Sequence, residues 1–68
     1  MNEDKLNIEV RKFLKKIGIS SQRTIENEIN IAFKNGNIKI GDEIELEMKL
    51  SIKSLKKENT ITDKITIQ

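Results

Sequence analysis

Residues 11–23, Arg-Lys-Phe-Leu-Lys-Lys-Ile-Gly-Ile-Ser-Ser-Gln-Arg, decide how the first half of this chain is expected to fold. Apolar and basic side chains recur with helical spacing as far as Gly18, and two serines follow shortly after it. A glycine can take the left-handed conformation that ends a helix, and a serine can cap the start of the next one. The stretch therefore predicts a helix, a short corner and a second helix.

Both predicted helices are amphipathic. The first covers about residues 3–17, with Asn2 as its N-cap, and the second covers about residues 21–35, with Ser20 or Ser21 as its cap. The second ends at Asn35-Gly36, in the way that the first ends at Gly18. The apolar stripe of the first helix is Leu6, Val10, Phe13, Leu14 and Ile17, and that of the second is Ile25, Ile29, Ala32 and Phe33.

Beyond Gly36 the apolar period changes from 3.6 to 2, which is typical of β-strands. One strand is predicted at about residues 43–53, where the even-numbered side chains are apolar, and a second at about residues 60–68. A polar segment, residues 54–59, reverses the chain between them. The predicted antiparallel register places Ile61 opposite Ile52, Ile65 opposite Met48, Ile67 opposite Leu46 and Asp63 opposite Leu50. Residues 37–40 form either a short extra strand or a loop.

The predicted fold is therefore α+β, in the order ααββ, with a helical hairpin packed on an antiparallel β-hairpin. Residues 1–68 are too few for more than one small domain. A two-stranded sheet is not stable alone, so its apolar face is expected to form the core with the helices. Only 24 residues are apolar, and no cysteine or histidine can supply a disulfide or a typical zinc site. A partner surface is the remaining way to gain burial, which favours self-association.

The composition argues against an enzyme. Histidine, cysteine, tyrosine and tryptophan are absent, so the usual general bases, thiol nucleophiles and soft-metal ligands are missing. Glu43, Glu45 and Glu47 are spaced by two and are interpreted as the solvent face of a strand. We expect no catalytic, cofactor or metal site and no small-molecule substrate.

Two isoleucines lie off the predicted helical stripes. Ile8 and Ile31 are each about half a turn from their stripe, and a helical hairpin would bring them to similar heights. They are interpreted either as scattered exposed residues, as a patch that is buried in a second copy of the chain, or as side chains that the C-terminal half covers.

The basic residues around the predicted corner suggest an anionic partner. The net charge of the chain is only +2, but Arg11, Lys12, Lys15, Lys16 and Arg23 have no acidic residue between them. Two helices joined by a corner and followed by a β-hairpin would suit a winged-helix protein that binds nucleic acid. Against this, the second helix carries Glu26 and Glu28, and the usual third helix is missing. The simpler interpretation of the basic residues, which we favour, is a solvated helix face.

The preferred interpretation is a non-catalytic protein that associates with itself or with another protein, and nucleic-acid binding is the alternative. The N-terminus is polar and leads into no long apolar run, so neither an export signal nor a membrane span is expected. The expected compartment is the cytoplasm.

The chain also resembles a family of short proteobacterial proteins that is known only as a domain of unknown function. The resemblance lies in Met1-Asn2-Glu3, residues 11–15, Gly18-Ile19, Ser21-Gln22-Arg23 and Ile25-Glu26. It continues more loosely through Gly36, Ile38-Lys39 and Gly41-Asp42-Glu43 to Asp63 and Ile65. Members commonly have glutamate where this chain has Thr24. The resemblance implies no activity, ligand or active site.

Overall fold

The computed structural model describes all 68 residues and divides into two compact units, Met1–Asn37 and Ile38–Gln68. The first unit contains one long helix, α1 (Glu3–Lys34). The second is a β-hairpin of β1 (Glu43–Ile52) and β2 (Lys57–Thr66), joined through a short 3₁₀ turn at Lys53–Leu55. The predicted α+β class and the antiparallel hairpin are confirmed. The predicted helical hairpin is wrong, because the chain has one helix where two were expected, and the assignment of residues 1–68 to one domain stays a prediction.

The helix α1 runs through Gly18 without a break. Gly18 does not take a positive φ angle, unlike Gly36 and Gly41, and the backbone remains helical through Ser20 and Ser21. The hydroxyl of Thr24 donates to the carbonyl oxygen of Ser20 at 3.2 Å, as a threonine does inside a helix. An interior glycine costs about 1 kcal/mol relative to alanine, which its helix-forming neighbours can offset. The predicted corner and its serine caps are therefore wrong.

The two ends of α1 were predicted correctly. The side chain of Asn2 accepts a hydrogen bond from the backbone N–H of Lys5 at 3.0 Å and so caps the first turn. At the other end Gly36 has a φ of 75°. Its N–H donates to the carbonyl of Phe33 at 3.1 Å, and the N–H of Asn37 donates to that of Ala32 at 2.9 Å. This pair of bonds is the Schellman motif, which requires a left-handed residue at the position of Gly36.

The hairpin has a different register from the predicted one. Ile65 lies opposite Ile44, Ile61 opposite Met48 and Asp63 opposite Leu46, so β2 is displaced by four residues from its predicted position. The reversal needs only residues 53–56, because Lys56 takes the left-handed conformation with a φ of 53°. Polar residues 57–59 then join β2 instead of the loop. A shift by an even number keeps each side chain on its predicted face.

Residues 37–40 form no strand, and a turn followed by a bulge begins the hairpin. The N–H of Asp42 donates to the carbonyl of Lys39 at 3.1 Å, and its carboxylate accepts from the N–H of Lys39 at 3.0 Å. Gly41, with a φ of 95°, donates to the carbonyl of Ile67 at 2.7 Å, while Ile67 donates to the carbonyl of Asp42 at 2.9 Å. Gly41 and Asp42 therefore both lie opposite Ile67, which is the arrangement of a β-bulge with glycine in its first position.

No residue of α1 or of the hairpin is buried within its own unit, and the expected core between the hairpin and the helical part stays a prediction. The least exposed residues of α1 are Ile17, Ser21, Ile25, Ile29 and Ala32, and each of them is only partly covered. In the second unit the partly covered residues are Ile38, Asp42, Ile44, Leu46 and Ile67. The apolar surfaces of both units are thus open.

Candidate interaction surfaces

The apolar stripe of α1 is one continuous row. Phe13, Ile17, Ser21, Ile25, Ile29 and Phe33 follow one another at intervals of four residues. Four residues exceed one helical turn by about 40°, so the row winds slowly around the axis as it passes Gly18. The sequence analysis divided this row into two stripes because it placed a helix end at Gly18 and a new cap at Ser20 or Ser21. The interval of four across Gly18 was the signal that could have shown a single helix.

The predicted patch of Ile8 and Ile31 is not assembled. A continuous helix separates these residues by 23 positions, which places them about 35 Å apart along the axis and about 140° apart around it. Ile8 is 52% exposed and Ile31 is 53% exposed. The argument that they lie at similar heights is therefore wrong, since it required two helices that fold back.

The five basic residues lie along one broad side of α1 instead of at a corner. They span an arc of about 140°, roughly opposite the N-terminal part of the apolar stripe. Lys12 lies 3.6 Å from the carboxylate of Glu9, and both side chains are well exposed. The arc comprises Arg11, Lys12, Lys15, Lys16 and Arg23. The winged-helix alternative loses its structural premise, because it required the turn that α1 does not make.

The hairpin has one apolar and one polar face. On the apolar face, Ile44, Leu46, Met48, Leu50 and Ile52 of β1 lie beside Ile61 and Ile65 of β2. Asp63 also lies on this face, opposite Leu46. The sequence had predicted that this polar residue would lie on the apolar face, although opposite Leu50. Its carboxylate accepts a hydrogen bond from the N–H of Lys64 at 2.7 Å. A carboxylate among apolar side chains limits the kind of surface that can cover this face.

The polar face holds two cross-strand ion pairs. Lys49 lies 3.4 Å from Glu58, and Lys64 lies 3.9 Å from Glu43. Both pairs are well exposed, so each contributes little to stability. The row Glu43, Glu45 and Glu47 lies on this face, as predicted, while Asp63 lies on the other. No group of three or more acidic residues is placed to hold a metal ion, and no helix combines the length and apolarity that crossing a bilayer requires.

The fold and these surfaces define a small α+β protein with one long amphipathic helix and one β-hairpin. Residues 1–68 match the model of a family of unknown function, DUF6494, and the chain belongs to that family. The expected membership of a family of unknown function is thus confirmed over the whole chain. The comparisons found no similar curated protein and no similar solved structure.

Proposed function

We propose that this protein is a non-catalytic self-association module, whose open apolar surfaces are covered by a second copy of the chain. The observation that carries the proposal is the exposed surface. Neither α1 nor the β-hairpin has a buried residue of its own. Large apolar side chains of both units, such as Phe13 and Phe33 of α1 and Met48 and Ile61 of the hairpin, are more than two-fifths exposed.

The apolar faces of α1 and of the hairpin are surfaces that an interface between copies could cover. A standard protein interface covers about 800 Å² on each partner. Obligate dimers bury more than standard complexes, and their interfaces resemble a divided core. Assembly would thus supply the burial that the single chain lacks.

The surfaces of α1 are arranged suitably for this role. Its apolar stripe extends through most of the helix, and the five basic residues between positions 11 and 23 lie away from the stripe. A second copy could cover the stripe while these basic residues remain in water, where their charge costs little. The absence of cysteine suits a reducing compartment, so we place the assembly in the cytoplasm.

Sedimentation equilibrium over a range of micromolar concentrations tests the proposal. The expected result is a reversible dimer or a larger closed assembly with no other molecule added. A monomer at every concentration, with helix and strand content intact by circular dichroism, would overturn it. Co-purification of a different protein in a fixed ratio with that monomer would instead indicate a heterologous partner.

A matched pair of substitutions locates the contact on α1. Ile29→Lys places a charge within the apolar stripe, and Ile31→Lys places the same charge outside it on the same turn. Burying an unpaired lysine is costly, so we expect Ile29→Lys to weaken the dimer at least tenfold, by about 1.4 kcal/mol or more. Ile31→Lys should change the dissociation constant much less. Equal effects would show that the stripe is not the contact.

A further inference from the structure

The outer edge of β1 is open, and the hydrogen bonds of the hairpin determine which backbone groups it offers. Ile67 donates to the carbonyl of Asp42, so this position of the ladder is a hydrogen-bonded one. The even-numbered residues of β1 therefore direct their N–H and C=O groups towards β2. The odd-numbered residues, Glu43, Glu45, Glu47, Lys49 and Ser51, direct theirs outwards. Unpaired edge groups of this kind are a template for another strand.

The charges along β1 change sign about Met48. The polar-face residues before Met48 are Glu43, Glu45 and Glu47, and those after it are Lys49, Ser51 and, just beyond the strand, Lys53. A second β1 in antiparallel orientation, with Met48 opposite its own copy, would place Glu47 opposite Lys49 and Glu43 opposite Lys53. Opposite charges in facing positions stabilise a strand pair, and like charges destabilise it.

The same register also matches the apolar face. It places Leu46 opposite Leu50 and Ile44 opposite Ile52, so that every facing pair on that face is apolar. The backbone hydrogen bonds agree with this register as well, because Glu47 and Lys49 are residues whose N–H and C=O groups point outwards. The two-fold axis of the pair passes between the two copies of Met48. If it were moved by one residue, Glu47 or Lys49 would lie opposite its own copy. An in-register parallel pair would place all like charges side by side.

The outer edge of β2 does not offer an equivalent match. An antiparallel pair of β2 strands about Ile61 would place Asp63 opposite Asn59 and Lys57 opposite Ile65 on the apolar face. Burying those polar groups without partners would cost free energy. The self-complementary edge is therefore that of β1.

We propose that two copies of the chain pair through their β1 strands, antiparallel and centred on Met48, to form a four-stranded sheet. This inference rests on the proposed self-association and specifies one of its contacts. A two-stranded hairpin is marginal in water, and three or more strands with an apolar face are needed for stability. The pairing joins two marginal hairpins into one sheet, in which the apolar side chains of the two β1 strands lie side by side at the centre of one face.

Cysteine cross-linking tests the register directly, because the chain contains no cysteine of its own. In Met48→Cys the two thiols would face each other at a position without hydrogen bonds, where the Cα atoms are about 4.5 Å apart. This separation is within the range of a disulfide. We expect the folded variant to form a disulfide-linked dimer when it is incubated with glutathione disulfide. A reducing agent should convert this dimer back to single chains. Prior unfolding in urea should prevent its rapid formation.

Leu50→Cys is the matched control, because it lies on the same face of the same strand. Its own copy would be four residues away along the sheet, about 13 Å, which is too far for a disulfide. Leu46→Cys should also fail to cross-link alone, whereas an equimolar mixture of the Leu46→Cys and Leu50→Cys proteins should form the mixed dimer. This mixture keeps the test valid even if Met48→Cys fails to fold.

The outcomes separate this contact from the proposed function. A dimer in sedimentation without the Met48 cross-link and without the mixed cross-link would overturn the β1 pairing and leave self-association standing. Equal cross-linking of Met48→Cys and Leu50→Cys would also overturn the pairing, since it would indicate random collision. A protein that stays monomeric in sedimentation would overturn both.

Discussion

Gly18 and Gly36 are the same type of residue in the same helical unit, but they have opposite roles. Gly18 lies within α1, has no positive φ angle, and has open space where a side chain would project. Gly36 has a φ of 75°, which an L-residue adopts only with strain. The sequence analysis predicted that both glycines end a helix, and this prediction was correct only for Gly36. The local sequence could not separate them, because a pair of basic or polar residues lies shortly before each glycine, Lys15-Lys16 before Gly18 and Lys34-Asn35 before Gly36.

Alanine substitutions distinguish the two roles. Gly18→Ala is expected to raise the free energy of unfolding by about 0.5–1 kcal/mol, because it removes the conformational freedom of glycine from a helix interior. Gly36→Ala is expected to lower it by about 1 kcal/mol, because alanine must adopt the left-handed conformation. Urea unfolding followed by circular dichroism at one protein concentration measures both. A loss of stability in Gly18→Ala would contradict a continuous α1.

The sequence predicted correctly that the second unit is an antiparallel β-hairpin, but it did not predict which residues of the two strands lie opposite each other. The alternation of residues 44–52 fixes which face of β1 is apolar, and the structure confirms that face. The register depends on the length of the turn, and nothing in residues 54–59 showed that Lys56 would close it early. The grouping of the candidate site residues was wrong for a related reason, while their roles as contacts stay predictions. The Ile8–Ile31 patch and the basic corner both depended on a reversal of the chain at Gly18.

An engineered disulfide tests the observed register. Glu45 and Lys64 face each other at a position without hydrogen bonds between the strands, so the pair Glu45→Cys and Lys64→Cys is expected to form an intramolecular disulfide. The register predicted from the sequence pairs Glu45 with Gln68, so Glu45→Cys with Gln68→Cys is the control. Mass spectrometry of the oxidised proteins at low concentration reports the result. A disulfide in the control alone would show that the strands are displaced by four residues.

For the whole molecule, the exposed surface makes the heat capacity of unfolding a measure of assembly. An unfolded chain of this mass has about 11,500 Å² of accessible surface in total, and a compact folded one has about 4,400 Å². An assembly that covers the apolar faces of both units therefore increases the surface that unfolding exposes. The heat-capacity change follows the surface that unfolding exposes. An assembled chain and a lone chain should therefore differ in this quantity even where their secondary structure is the same.

Calorimetry at several protein concentrations gives the corresponding prediction. A compact assembly of 68-residue chains should unfold with a heat-capacity change of about 0.9 kcal/mol/K per chain, and a lone chain with uncovered apolar faces should unfold with a smaller one. The melting temperature should also rise with concentration, because the folded assembly is favoured by mass action over separate unfolded chains. The lower heat-capacity change, together with a melting temperature that does not depend on concentration, would mean that the open surfaces stay open. In that case Ile29→Lys should leave the melting temperature almost unchanged, since its charge would remain in water.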